Sequence, residues 1–258
     1  MQEIHGIKKS LELLNEFFSK RNIEFWLEAG TALAAYRDGK VFPWEHDIDV
    51  AIWREEVPDL DELSNFFHVE NFEITIQKSL PFLDNIIQLK VRDREVNDVF
   101  DIDIYLYTRK DDFAYMRWIQ KPEGILGPLK KKVLFILRNL VNPSSDKWLN
   151  RASYFPKSII LFIFKAYLRL HIYFSSCIYH RFPIEFFSEL KDIDFYGVKV
   201  KIPLNTEDFL AHRYGENWRT PDSEFNQTGK WKKSGARVLL PMRLLPPPIF
   251  NKKLTKLK

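Results

Sequence analysis

Two pairs of aspartates, each pair separated by one residue, stand inside apolar runs of the sequence. Asp47 and Asp49 lie in DIDVAIW, and Asp101 and Asp103 lie in VFDIDIYLY. Side chains at positions i and i+2 of a β-strand point to the same face, about 6.6 Å apart. A carboxylate in an apolar strand is costly to bury unless a cation or a set of amides accompanies it. Each pair therefore predicts a metal site or contacts with Lys, Arg or backbone amides.

A turn of small residues, Ala29, Gly30 and Thr31, precedes the first aspartate pair. Gly30 allows the backbone to come close to a ligand, and amides at the start of the following helix can donate to a phosphate. Carboxylates converging from two strands suit Mg²⁺, which binds one or two carboxylates together with waters and phosphate oxygens. The chemistry that uses such a site is phosphoryl transfer. The alternative is that these acidic residues are only solvated or paired with Lys or Arg.

The elements that would position these residues form an α/β (α+β) pattern, with a mixed sheet flanked by helices. Apolar periodicity predicts helices over 4–20, 32–38, 58–67 and 205–214. It predicts strands over 23–29, 48–53, 72–78, 85–91 and 99–107, and a strand pair around Gly197. The chain has 258 residues, of which 45% are hydrophobic, so it can bury a substantial core. We divide it into a catalytic core (1–112), a helical insertion rich in basic and aromatic residues (113–190) and a C-terminal segment that completes the site (191–258).

Three stretches of the sequence resemble the LicD/fukutin family. They are GTALAAYRDGKVFPWEHDIDVAI, IDIYLY and YGENWRTP, and together they lie within 1–110 and 190–235. The resemblance implies a nucleotidyltransferase-like core that moves a phospho-alcohol from a CDP-linked donor to a glycan hydroxyl. The alcohol would be phosphocholine, glycerol phosphate or ribitol phosphate, and the glycan acceptor would be lipid-linked, in the biosynthesis of cell-surface glycans.

The resemblance also implies Mg²⁺ or Mn²⁺ held by Asp47, Asp49 and a third acid. We prefer Asp103 as that third acid because IDIY matches the second acidic strand of the family best, and Asp101 is the second choice. One of these two would also take the proton from the acceptor hydroxyl. The chain departs from the family where Glu45 and His46 stand in place of a run of acids. His46 would either donate to a phosphate or remain solvated.

The motifs nominate a set of substrate-binding residues, namely Gly30, Thr31, Arg37, Trp44, His46, Tyr214, Trp218 and Arg219. Arg37 would face the phosphates, although a surface salt bridge is equally compatible with its position. Trp44 is either a wedge that fixes the loop before the aspartates or a platform for the cytosine ring. The segment at 214–219 would form a second wall of the donor site, where Arg219 and the nearby Arg213 would neutralise the diphosphate.

Basic residues are concentrated between 130 and 182, where ten Lys and Arg accompany one acid. This segment carries a net charge of +9, which leaves −5 for the rest because the total is +4. Lys165 and Arg169 interrupt the apolar run at 158–179, which disfavours a helix that spans a bilayer. We expect peripheral attachment to the cytoplasmic face of an anionic membrane, with ordinary core helices as the alternative. The sequence contains no recognised nucleic-acid motif, so we expect no nucleic-acid partner.

Two other functions use the same sequence features. A nucleotidyltransferase would transfer NMP from an NTP with the same metal chemistry and release pyrophosphate. A non-catalytic scaffold of a glycan-assembly complex would keep the fold without needing the aspartates.

Overall fold

The computed structural model describes residues 2–45, 47–69, 72–77, 86–93, 99–118, 176–221 and 236–241, and the single residues 162, 166 and 244. The helices with described bounds are α1 (Gln2–Ser19), α2 (Ala29–Arg37), α3 (Leu60–Val69) and α4 (Thr206–Tyr214). The strands are β1 (Phe25–Leu27), β2 (Asp47–Trp53), β3 (Phe72–Gln77), β4 (Ile86–Asp93), β5 (Val99–Lys110), β6 (Phe113–Trp118), β7 (Ser176–Pro183), β8 (Leu190–Phe195), β9 (Val198–Pro203) and β10 (Arg237–Pro241). This mixed α/β architecture confirms the predicted fold class.

The strands form a mixed sheet in the order β1-β2-β5-β6-β7-β10, and β4 pairs with both β3 and β5. β2 runs parallel to β5, whereas β1 pairs antiparallel with β2 and β4 antiparallel with β5. The central strand β2 is buried along nearly its whole length, as an apolar strand covered on both faces must be. The register sets Asp47 opposite Asp101 and Asp49 opposite Asp103. The parallel pairing therefore brings the two aspartate pairs of the sequence side by side.

The core beside the sheet is built largely from aromatic side chains. Trp26 of β1 lies 5.3 Å from Trp53, 5.8 Å from Tyr107 and 5.0 Å from Phe187 between ring centroids. These separations are in the range of favourable aromatic pairs. Helix α1 adds Leu11, Leu14, Phe17 and Phe18, all fully buried. Burial of each such side chain contributes about 1.5–3 kcal/mol, which fixes the sheet that carries the aspartates.

The C-terminal segment folds as a β-hairpin, β8 and β9, followed by α4. Tyr196 and Gly197 at the hairpin turn both have positive φ, 57° and 76°, the conformation that two-residue hairpin turns favour. The side-chain amide of Asn15 in α1 donates to the carbonyl of Lys199 at 2.7 Å. The predicted strand pair and the predicted helix at 205–214 are both confirmed.

The structure differs from the sequence prediction at both ends of the segment 113–190. β6 pairs with β5 at one end, and β7 extends the same sheet at the other. Residues 114–117 of β6 are all buried, and buried aromatic residues such as Tyr115 and Tyr179 are typical of strands. The helix predicted over 158–179 is wrong at 176–179, which belong to β7. Most of the residues between β6 and β7 lie outside the described part of the chain, so the helical character of 129–140 and 158–175 stays a prediction.

The chain divides into two compact units. The first contains 1–79, 85–116 and 179–238, and the second contains 80–84, 117–178 and 239–258. The first unit holds both aspartate pairs together with most of the C-terminal segment. In the second unit, Phe162 and Ala166 are helical, and Phe162 is exposed. Among the described residues, no helix has both the length and the apolar character to cross a bilayer.

Candidate active site

Three carboxylates converge at the β2–β5 pair. Asp47, Asp49 and Asp103 each place a carboxylate oxygen within 4.8 Å of the others. Asp49 is 6% exposed and Asp103 is 9% exposed, so both are buried within the apolar centre of the sheet. The triad follows directly from the parallel register, because Asp49 and Asp103 occupy paired positions and Asp47 precedes Asp49 by two residues on the same face.

Burial and the charges of neighbouring carboxylates raise the pKa values of Asp49 and Asp103. The pKa of Asp49 is raised well above its usual range, first by burial and then by the charges of Asp47, Glu45 and Asp103. Burial raises the pKa of Asp103 to about 6, even though a hydrogen bond from Gln88 acts to lower it. The side-chain amide of Gln88 donates to both Asp103 oxygens at 3.2 Å. Carboxylates crowded in this way are stabilised in the charged form by a cation.

The donor set fits a hard divalent cation. Mg²⁺ takes oxygen ligands at about 2.0–2.1 Å, so two oxygens on one ion lie at most about 4.2 Å apart. The 4.8 Å limit within the triad exceeds this by about half an ångström, which a small side-chain rotation removes. Mn²⁺ favours the same oxygen ligands, so the triad accommodates either ion.

Asp101 lies outside this triad. Its Oδ2 is 3.9 Å from the ammonium of Lys90, and its side chain is 42% exposed. The strand register explains the difference, because β4 sets Lys90 opposite Asp101 and Gln88 opposite Asp103. Of the two alternatives for the third acid, the geometry therefore groups Asp103 with the first pair.

Gly30 makes room for the carboxylate of Glu45. A methyl group on Gly30 would lie 2.3 Å from Oε1 and 2.6 Å from Oε2 of Glu45, closer than non-bonded atoms allow. Burial, with the charge of Asp47, raises the pKa of Glu45 to about 7. The sequence predicted that Gly30 lets the backbone approach a ligand, whereas in the structure the group beside Gly30 is the Glu45 carboxylate. The carboxylate lies against the first turn of α2, where phosphate binding was predicted.

Helix α2 holds the backbone of Asp49 at two points. The amide of Asp49 donates to the hydroxyl oxygen of Thr31 at 2.9 Å, and its carbonyl accepts from the amide of Glu28 at 3.0 Å. Thr31 is fully buried. Its position one residue after Gly30 was predicted to matter for phosphate binding, and the structure gives it a contact that fixes the aspartate strand instead. Direct contact of Thr31 with a substrate stays a prediction.

A buried ion pair joins Arg213 of α4 to Glu28, the residue before α2. The guanidinium of Arg213 in α4 donates to Oε1 of Glu28, and the hydroxyl of Tyr107 donates to the same oxygen at 2.9 Å. Glu28 is fully buried and Arg213 nearly so. The positive charge of Arg213 acts against the raised pKa of Asp49. Arg213 was predicted to neutralise a diphosphate, but in the structure it neutralises Glu28, for which the sequence offered no signal.

Three further predicted binding residues lie near the C-terminal end of α2. Arg37 donates to both carboxylate oxygens of Asp38, at 2.8 and 2.9 Å, and to the carbonyl of Trp218 at 3.2 Å. Trp218 is buried, with its ring 6.0 Å from that of Tyr36. Arg219 is exposed and pairs with Glu207 at 2.5 Å.

Helix geometry explains why these residues are distant from the start of α2. A rise of 1.5 Å per residue separates Arg37 from Gly30 by about 10 Å along the axis. The structure does not bring Arg37, Trp218 or Arg219 into the acidic triad, and their contact with a substrate stays a prediction.

Tyr214 and Trp44 are placed closer to the acidic residues. Burial raises the pKa of Tyr214, and the charges of Asp49 and Glu45 raise it further, so its phenol lies within their electrostatic reach. Trp44 precedes Glu45 and is 49% exposed. His46 lies outside the described residues.

Comparison with known proteins shows which proteins this site resembles. Residues 22–143 match the family model described as LicD/FKTN/FKRP, nucleotidyltransferase domain. The matched range contains the whole acidic triad, Gly30 and Thr31. Ribitol-5-phosphate transferase FKTN of Mus musculus is 22% identical over 232 residues, which cover 90% of this chain and 36% of that protein.

Two further relatives match over shorter stretches. Ribitol 5-phosphate transferase FKRP of Homo sapiens is 39% identical over 41 residues, 16% of this chain and 8% of that protein. The uncharacterized protein RT0683 of Rickettsia typhi is 30% identical over 137 residues, 48% of this chain and 40% of that protein. The chain thus spans less than half the length of each of these relatives. The acidic triad of this chain thus lies within a stretch, residues 22–143, that matches the nucleotidyltransferase domain of the LicD/FKTN/FKRP family.

Proposed function

We propose that this protein catalyses metal-dependent transfer of a phospho-alcohol from a CDP-linked donor to a hydroxyl of a glycan. The phospho-alcohol is phosphocholine, glycerol phosphate or ribitol phosphate, and the product belongs to a cell-surface glycan or glycoconjugate. The single observation that carries this proposal is the convergence of the carboxylates of Asp47, Asp49 and Asp103. The family match over residues 22–143 and relatives named as ribitol-phosphate transferases support it.

In this proposal the three triad carboxylates hold one Mg²⁺ or Mn²⁺ ion. The bound ion would supply charge neutralisation at the donor diphosphate. The amides at the start of α2 would bind the phosphates, in the place where the Glu45 carboxylate lies in this structure. Thr31 and Glu28 keep the Asp49 backbone in place for this task. The Glu28–Arg213 ion pair connects the start of α2 to α4.

The proposed reaction is a displacement at the β-phosphorus of the donor. The acceptor hydroxyl oxygen forms a bond to that phosphorus, the bond to the bridging oxygen breaks, and CMP leaves. The proton of the hydroxyl passes to a carboxylate. Asp103 and Asp101 are the two carboxylates predicted for this step, and Asp101 is the one outside the triad.

A nucleotidyltransferase that moves NMP from an NTP is the second candidate, because the matched family domain is described as a nucleotidyltransferase domain. It would use the same carboxylates and the same α2 amides. The two functions differ in the donor and in the leaving group, which is CMP in one case and pyrophosphate in the other.

The test is a thermal-shift series in Mg²⁺ with CDP-choline, CDP-glycerol, CDP-ribitol, CTP and ATP. A ligand at 100 times its dissociation constant stabilises the fold by about 2.7 kcal/mol. We expect one CDP-alcohol to stabilise the wild type and to have no effect on Asp47→Asn. Asp111→Asn is the matched control, because Asp111 is exposed in the β5–β6 turn and has a positive φ of 53° that Asn tolerates.

Other outcomes of this series count against the proposal. Stabilisation by CTP or ATP alone would favour the nucleotidyltransferase. Stabilisation by a CDP-alcohol that persists unchanged in Asp47→Asn would remove the triad from donor binding. A folded wild type that responds to no donor would contradict the phospho-alcohol transferase.

A further inference from the structure

Trp44 presents a flat aromatic surface close to the acidic triad. Its ring stacks on Phe42 with a centroid separation of 5.2 Å and an interplanar angle of 17°. Phe42 is buried, whereas Trp44 is 49% exposed. Because Phe42 covers one side of the indole, the exposed fraction leaves room for a second flat group. Large apolar side chains this exposed are few among the described residues.

The loop that carries Trp44 is fixed without any ligand. The amide of Glu45 donates to the carbonyl of Phe42 at 3.0 Å, which closes a turn around Trp44. The amide of Val41 donates to the hydroxyl of Tyr196 at 3.0 Å and ties the loop to the β8–β9 hairpin. The guanidinium of Arg37 lies 4.9 Å from the centre of the Phe42 ring. A ligand that stacks on Trp44 would therefore need little reordering of the loop.

The spacing between Trp44 and the triad suits a nucleotide. Trp44 precedes Asp47 by three residues, a span of at most about 11 Å even when fully extended. In a nucleoside diphosphate, a ribose and a phosphate separate the base from the phosphorus that reacts. A donor whose phosphates lie at the triad can therefore place its base at Trp44.

We propose that Trp44 is the stacking platform for the nucleobase of the donor. This proposal rests on the proposed function and adds to it the residue that recognises the base. An exposed indole also suits a sugar ring. The acceptor sugar, however, carries the attacking oxygen and must approach the phosphorus itself, whereas the base is held away from it. A residue beside the triad in sequence, rather than within it, therefore suits the base.

The test compares the affinity for a diphosphate that carries a nucleobase with the affinity for a diphosphate that carries none. Calorimetric titrations in Mg²⁺ measure the affinity of CDP and of pyrophosphate for the wild type, Trp44→Ala and Trp44→Phe. Base–aromatic stacking contributes about 1–3 kcal/mol per base, so Trp44→Ala should weaken CDP binding about 5- to 150-fold. Pyrophosphate affinity should change less than about two-fold, and Trp44→Phe should retain most of the CDP affinity. Leu204→Ala, at a residue that is 43% exposed, is the matched control.

Each alternative result has a distinct meaning. Unchanged CDP affinity in Trp44→Ala would overturn the stacking role and leave the proposed function standing. Equal weakening of CDP and pyrophosphate would also overturn it, because the loop rather than the base contact would then be responsible. A rise in the KM of the glycan acceptor with unchanged CDP affinity would assign Trp44 to the acceptor. A wild type that binds neither CDP nor pyrophosphate would overturn the proposed function, and the stacking role with it.

Discussion

Asp49 shows most clearly the conflict between stability and function at the scale of single residues. Its carboxylate is buried, and the neighbouring charges of Asp47, Glu45 and Asp103 add to the cost of ionising it. The guanidinium of Arg213 acts in the opposite direction but is already paired with Glu28. The burial and the neighbouring negative charges that destabilise the metal-free fold at Asp49 also strengthen the binding of a cation there.

Replacement of Asp49 by Asn should therefore stabilise the metal-free protein. Removal of a buried charge of this kind should contribute about 1–2 kcal/mol, or about 2–8 °C in Tm for a chain of this size. The same variant should lose the stabilisation that Mg²⁺ gives the wild type. Melting curves in EDTA and in Mg²⁺ measure both effects, with Asp111→Asn as the control. A lower Tm for Asp49→Asn in EDTA would contradict this view of the triad.

The pH dependence of stability offers a second test of the triad. The native pKa of Asp103 is about 6 and its ordinary value is 3.8, so the native state binds more protons than the unfolded state between these values. The free energy of unfolding of the metal-free protein should therefore fall as the pH rises from about 4 to about 6. The Asp103 contribution is on the order of 3 kcal/mol.

Denaturant titrations of the wild type and Asp103→Asn in EDTA measure this contribution together with the change in the pKa of Asp49, which the Asp103 charge raises. The difference in the free energy of unfolding between the wild type and Asp103→Asn should grow from pH 4 to pH 6 and then level off. Saturating Mg²⁺ should remove most of the pH dependence. A difference that is constant across this range would show that Asp103 is not the group that titrates.

At the scale of elements, the contact between α2 and β2 determines where Asp49 lies. Thr31→Val keeps the shape of the side chain but removes the oxygen that accepts from the Asp49 amide. A buried amide left without an acceptor costs about 1–3 kcal/mol. We expect a loss of stability in this range and weaker Mg²⁺ binding, whereas Thr31→Ser should retain both. Equal behaviour of the Val and Ser variants would show that the hydrogen bond has no role.

The close approach of Glu45 to α2 can be measured by a double-mutant cycle. Ala normally stabilises a helix relative to Gly by about 0.5–1 kcal/mol, so Gly30→Ala should show this gain in a Glu45→Ala background. In the wild-type background the new methyl group would meet the Glu45 carboxylate, and the gain should shrink or reverse. Chemical denaturation of the four proteins gives the coupling energy. A coupling near zero would mean that Glu45 does not lie against Gly30 in solution.

The sequence predicted these elements better than it predicted the contacts between them. Alternating and continuous apolar runs are sufficient to locate β2 and β5, and the motif resemblance identified Asp47, Asp49 and Asp103. Periodicity cannot say that β2 and β5 pair in parallel, nor that β4 sets Lys90 opposite Asp101 and Gln88 opposite Asp103. The partner of Arg213 was equally out of reach, because Glu28 lies 185 positions away in sequence. Long-range pairs of this kind depend on the tertiary fold.

At the scale of the whole molecule, charge is unevenly distributed along the chain, which bears on where in the cell the protein is located. The segment 130–182 carries +9, and the remainder of the chain carries −5. We propose that this segment attaches the protein to the cytoplasmic face of a membrane, where its lipid-linked acceptor would lie. Each Lys or Arg near an anionic surface contributes about 1 kcal/mol to binding.

Co-sedimentation with vesicles tests this proposal on the full chain. Vesicles that contain anionic lipid should bind the wild type, neutral vesicles should not, and binding should fall as the ionic strength rises. Simultaneous change of Lys130, Lys131 and Lys132 to Glu should reduce binding at least ten-fold, because six units of charge are reversed near the surface. The same change at Lys8, Lys40 and Lys199, exposed residues elsewhere, alters the net charge equally. A similar loss in both triple variants would point to net charge alone, whereas a selective loss would assign attachment to the basic segment.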